Sequence, residues 1–85
     1  MPITILYFAW VREQVGLSQE TVAPPAAVAD VAGLVAWLAA RSGGHARALA
    51  DPARLRAAVD DRLAGLDAPI AGAREVALFP PVTGG

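Results

Sequence analysis

Ile3-Thr4-Ile5-Leu6-Tyr7-Phe8 opens the chain with six consecutive β-branched, aromatic or large apolar positions, the composition of a strand. Arg74-Glu75-Val76-Ala77-Leu78-Phe79 reads the same way near the other end, and Pro80-Pro81 stops it. A strand with one face in water alternates apolar and polar residues. Neither of these does so cleanly. Ile3, Ile5 and Tyr7 share one face of the first and Thr4, Leu6 and Phe8 the other; Val76 and Leu78 oppose Ala77 and Phe79 in the last. Both therefore carry apolar groups on two faces, and each face needs cover.

Working inward, Trp10, Val11 and Val15 followed by Gly16 predict a helix of about two turns with a glycine C-cap. Ser18 to Val22 predicts a second strand antiparallel to the first, ended by Pro24-Pro25. Asp30 is an N-cap for the main helix. Val31, Leu34, Val35 and Leu38 follow at the spacing of one apolar face, and Gly43-Gly44 closes it. Residues 45–55 read as irregular or short helical connection, Leu55 to Val59 as a short strand, and Asp60-Asp61 as a turn. Asp67 to Gly72 is loop. The order strand, strand, helix, strand, strand places first and last strands parallel at the sheet centre. The predicted fold is α+β, a β-grasp (ubiquitin-like) domain over residues 1–79: a mixed sheet on one main helix with short additional helical turns. Residues 80–85 form a flexible diglycine tail.

One main helix covers one sheet face. The apolar groups on the other face then need either residues 45–55 folded across them or a protein partner, and a partner is the favoured reading, with Phe79 as an anchor.

Composition removes several function classes. At 85 residues there is room for one domain. The chain is 55% hydrophobic, but its apolar runs fall short of the ~20 residues that span a bilayer, and the N-terminus lacks the pattern of a signal peptide. A cytoplasmic protein without a membrane partner is expected. The net charge of −1 and scattered arginines give no footprint for nucleic acid. With no cysteine and no lysine, thiolate nucleophiles, Schiff bases and a P-loop lysine are excluded, and no metal site is expected. His45 reads as an exposed loop residue, Asp60-Asp61 as an exposed turn, Arg12-Glu13 as a solvated helix face, and Trp10 and Trp37 as core-edge residues.

The tail carries the chemistry. Pro80-Pro81-Val82-Thr83-Gly84-Gly85, if extended, reaches roughly 20 Å and ends in a free carboxylate behind two side-chain-free residues, suited to a narrow active site. A carboxylate must be activated before it reacts, and once activated it accepts sulfur or an amine. A terminal diglycine alone is commonly a frayed end; after a strand-ending Pro-Pro in this element order it reads as a working group.

Phe79-Pro80-Pro81-Val82-Thr83-Gly84-Gly85, with Tyr7-Phe8-Ala9, Arg12-Glu13…Gly16, the Leu34-to-Leu38 helix and Glu75-Val76-Ala77, resembles the small subunits of molybdopterin synthase, the MoaD-type ubiquitin-like sulfur carriers. The resemblance spans essentially the whole chain. It implies that Gly85 is adenylated with ATP by a ubiquitin-activating-type adenylyltransferase and converted to a thiocarboxylate by a sulfur donor system. Its sulfur then passes to cyclic pyranopterin monophosphate in the large synthase subunit, within a heterotetramer. Gly84 completes the motif, and Phe79, Pro80, Pro81, Val82 and Thr83 contact the partners. The domain alone binds no cofactor and is not catalytic alone. Sulfur carriage for thiamine or tRNA thiolation, and ubiquitin-like protein modification, are the alternatives. Relatives carry a Gly-Asp-Glu turn where this chain has Gly72-Ala73-Arg74-Glu75, and an acidic residue where Gly33 stands. Both departures bear on partner specificity, and Gly33 costs the helix about 1 kcal/mol.

Overall fold

The computed structural model describes residues 2–81. β1 (Ile3–Tyr7) leads into α1 (Ala9–Val15), β2 (Gln19–Val22), α2 (Val31–Ala39) and α3 (Gly43–Ala48). A 3-10 turn (Pro52–Arg54), β3 (Arg56–Val59), β4 (Arg62–Ala64) and β5 (Glu75–Phe79) complete the order. The five strands lie in the sequence β2-β1-β5-β3-β4. β1 and β5 are parallel at the centre, with Ile5 beside Val76 and Tyr7 beside Leu78; the other pairings are antiparallel. This is the mixed β-grasp sheet that the element order predicts.

The period-two pattern sends Ile3, Ile5 and Tyr7 of β1 and Val76 and Leu78 of β5 to one face, all buried. The i, i+3, i+4, i+7 stripe of α2 meets them, with Val31, Leu34, Val35 and Leu38 at most 2% exposed. Asp30 caps α2, its Oδ1 accepting from the Gly33 amide at 2.7 Å. A Cβ at Gly33 would lie 3.1 Å from that oxygen, so an acidic residue there would crowd the cap. Gly16 ends α1 in the left-handed region at φ 89°, its amide donating to the Arg12 carbonyl at 2.9 Å.

Three expectations are corrected. Gly43-Gly44 does not close the main helix, which ends at Ala39; the two glycines open α3, capped by Ser42. The reason is steric: a Cβ on Gly44 would sit 2.5 Å from the Gln14 carbonyl oxygen, so only a glycine lets α3 lie this close to the end of α1. The second correction is a fifth strand. Asp60 and Asp61 take φ of 49° and 70°, a primed two-residue turn that folds Arg62–Ala64 back on β3. Asp60 Oδ1 accepts from the Arg74 and Glu75 amides, both at 3.0 Å, which ties the hairpin to β5. The third is His45, which is no exposed loop residue: it lies in α3, 6% exposed.

Residues 45–55 pack on the helical side, where Ala48, Leu49 and Leu55 join the same core. They do not cross the opposite sheet face. Trp10 and Trp37 sit half-buried at the core edge, each under an arginine guanidinium 5.1 Å from the ring centroid. Among the described residues no helix is long and apolar enough to cross a membrane.

Candidate functional site

The strand registers place one row of residues straight across the uncovered face. Gln19 pairs with Leu6, Leu6 with Ala77, Ala77 with Ala58, and Ala58 with Leu63. Four of these five are apolar. Leu63 is 83% exposed, and Leu6, Ala77 and Ala58 are half-buried only by their neighbours. The alternation of β1 and β5 anticipates Leu6, Ala77 and Phe79; Leu63 escapes because its strand is three residues long. The Asp60-Asp61 turn followed by Arg62-Leu63-Ala64 is the signal that locates it.

Phe79, the last residue of β5, pairs with Arg56 on this same face and is half-buried. Phe8 and Phe79 are the next residues along the parallel strands after the Tyr7–Leu78 pair. Phe8 is 45% exposed. Two aromatic rings thus stand at the end of the sheet where β5 runs out into Pro80 and Pro81, both half-buried. Of the residues expected to contact partners, Phe79, Pro80 and Pro81 are continuous with the apolar row. Val82, Thr83, Gly84 and Gly85 lie outside the described residues. Among the described residues no group of histidines and carboxylates is arranged to hold a metal ion.

A polar cluster missed by sequence reasoning lies on the helical side of the sheet. Tyr7 Oη donates to Glu20 Oε2 at 2.7 Å, and His45 Nε2 meets the same oxygen at 2.6 Å. A carboxylate only accepts, so Nε2 carries the hydrogen and Nδ1 faces Ser42 Oγ at 2.7 Å. Arg41 adds its charge, 3.6 Å from Glu20 Oε1. Burial raises the Glu20 carboxyl, but the hydrogen bonds from His45 and Tyr7 and the charges of His45 and Arg41 outweigh it, leaving the group below its ordinary range. Burial, then the bond and charge of Glu20, push the Tyr7 phenol well above its usual value. The cluster links β1, β2 and α3, and its histidine has no free nitrogen to offer a reaction.

The sheet thus leaves one apolar face open beside the point where β5 runs out into Pro80 and Pro81. The family model of the ThiS family matches residues 5–85. The chain belongs to the ThiS family. Within it, the sequence is 46% identical over 83 residues to the molybdopterin synthase sulfur carrier subunit of Escherichia coli K12, covering 98% of this chain and 99% of that one. SAMP1 from Haloferax volcanii superposes with a TM-score of 0.73 at 26% identity, covering all of both chains. The fold is also shared with a Pyrococcus furiosus protein described as a putative molybdopterin converting factor, subunit 1. That superposition has a TM-score of 0.72 at 22% identity and covers 96% of this chain and 99% of that one. These matches support a sulfur-carrier role for this ThiS-family chain in molybdenum cofactor biosynthesis.

Proposed function

We propose that this chain is the small, sulfur-carrying subunit of a cytoplasmic molybdopterin synthase and that its Gly85 carboxylate is the group that carries the sulfur. The observation that supports this most is continuity. The apolar row through Leu6, Ala77 and Leu63, the aromatic edge at Phe79 and the start of the tail at Pro80-Pro81 follow one another without a break. A partner seated on the face would receive the tail directly.

The chemistry proceeds in balanced steps. The Gly85 carboxylate attacks the α-phosphorus of ATP on a ubiquitin-activating-type adenylyltransferase, releasing pyrophosphate and forming an acyl-adenylate. A sulfide equivalent from a donor system adds to the carbonyl carbon and AMP leaves, giving a thiocarboxylate. In the large subunit that sulfur passes to cyclic pyranopterin monophosphate, and two such transfers build the dithiolene. The chain contributes no acid, base or metal to these steps; it is a protein cosubstrate whose domain needs no cofactor, and ATP is used by its activating partner. Gly84 lets the backbone approach closely in a narrow site, and Phe79 to Thr83 supply contacts along the way. A heterotetramer of two small and two large subunits is the expected assembly.

Intact mass spectrometry after incubation with ATP, an activating enzyme and a sulfur source tests the proposal. The expected product has one oxygen replaced by one sulfur, and deletion of Gly85 abolishes it. An unchanged mass with a competent activating enzyme overturns it.

A further inference from the structure

An acyl group activated as an adenylate or thioester is open to attack by any free amine, thiolate or imidazole that reaches it. The inventory of such groups in this chain is unusual. It has no cysteine, and all seven of its basic side chains are arginine: Arg12, Arg41, Arg47, Arg54, Arg56, Arg62 and Arg74. All seven are exposed, on helices, strands and connections alike. A guanidinium keeps its charge at any pH the protein meets and offers no lone pair, whereas a lysine at the same place would be a nucleophile in equilibrium. The surface thus keeps its positive charge without a side-chain amine.

The remaining strong nucleophiles are locked in the polar cluster. His45, the single histidine, is 6% exposed, with Nε2 held by Glu20 at 2.6 Å and Nδ1 facing Ser42 Oγ at 2.7 Å. Tyr7, the single tyrosine, is 1% exposed and spends its hydroxyl hydrogen on Glu20. Neither presents a reactive lone pair at the surface.

We infer that the chain's side chains are inert towards its own activated terminus: they are chosen and placed so that an activated C-terminal carboxyl group acylates none of them, on its own chain or on a second copy, and remains available to a sulfur or amine nucleophile on another protein. The inference rests on the carrier reading above, because an unactivated terminus needs no such protection. Self-acylation would form an amide bond between a lysine ε-nitrogen and the carbonyl carbon. The bond to the thiol or AMP would break, and the amine proton would pass to solvent. Arginine at every basic position removes the attacking atom.

The test uses an aryl thioester of the 85-residue chain, made by intein thiolysis and acetylated at its α-amino group, so that it depends on no activating enzyme. It is held at mildly alkaline pH beside an Arg47→Lys version and followed by intact mass and denaturing gel. The native chain is expected to hydrolyse without adducts, while Arg47→Lys gives covalent dimer or internal amide at about tenfold or more above the native level. Equal adduct in the two, whether abundant or absent, overturns the inference. A His45→Asn thioester is expected to hydrolyse within about twofold of the native rate; markedly slower hydrolysis would show that the imidazole does reach the acyl group and would overturn its part in the inference. Failure of the carrier reading is seen separately, as the absence of thiocarboxylate in the enzymatic experiment.

Discussion

His45 Nε2 lies 2.6 Å from Glu20 Oε2, a contact between residues twenty-five positions apart that fastens α3 to the edge strand β2. Tyr7 on β1 donates to the same oxygen at 2.7 Å. Among the described residues no buried side-chain nitrogen or oxygen lacks a partner, so this cluster is fully satisfied. One carboxylate thus ties α3 to the β1–β2 ladder.

The Glu20 carboxyl is held below its ordinary value of 4.5 in the folded chain. A depressed carboxyl contributes stability that is fully present above its unfolded pKa and is lost as pH falls through the folded one. Urea denaturation midpoints are therefore expected to drop on going from neutral pH to below about 4.5. Glu20→Gln is expected to cost about 1–3 kcal/mol at pH 7 and to flatten that acid dependence. Equal pH slopes in the two proteins would refute the role assigned to Glu20.

Adjacent glycines in α3 are expected to respond in opposite ways to the same change. A Cβ on Gly43 meets only the end of the Arg47 side chain at 3.4 Å, so Gly43→Ala is expected to stabilise by about 0.5–1 kcal/mol through helix propensity. A Cβ on Gly44 meets the Gln14 carbonyl oxygen at 2.5 Å and the Val15 oxygen at 3.2 Å, both backbone. Gly44→Ala is expected to cost about 1–3 kcal/mol, as overpacking does. Thermal melts of the pair, recorded side by side, decide the point.

The open sheet face makes a separable prediction. Leu63 is 83% exposed, so Leu63→Ser is expected to leave stability within about 0.5 kcal/mol. Affinity for the large synthase subunit, measured by calorimetry, is expected to fall several-fold. Phe79→Ala, at the junction of face and tail, is expected to cost about 2 kcal/mol of binding or more. Unchanged affinity in both would remove this face from the interface.

Deleting Gly84 and Gly85 is expected to leave the melting temperature unchanged, since the buried core and the five strands are built from residues 3–79, and to abolish thiocarboxylate formation completely. Circular dichroism and intact mass on one preparation report the two properties together. Residual sulfur loading would move the working group away from Gly85.

Much of this fold is legible in the sequence because its signals are local. The Ile3–Phe8 run, the Asp30 cap with the Val31–Leu38 stripe, and Gly16 after Val15 each state an element within a few residues. The failures share one cause. Gly43-Gly44 looks like a helix stop when judged alone, yet it opens a helix because α1 passes within contact of it. His45 looks like a loop residue because the carboxylate that buries it is on β2. Leu63 lies on a strand too short to show a period. In the candidate site, Phe79 and the face residues on the two central strands follow from alternation, whereas the row as a whole depends on register, which pairs positions far apart in sequence.

β5 is flanked by β1 on one side and β3 on the other, and it is the last strand among the described residues. A ribosome that stalls before residue 75 releases a product in which those neighbours have no common partner and the core lacks Val76 and Leu78. Such a fragment cannot close its sheet and is exposed to proteolysis. Folding therefore acts as a check on translation as far as β5: a chain that reaches the native state has already been read through the strand that leads into the tail.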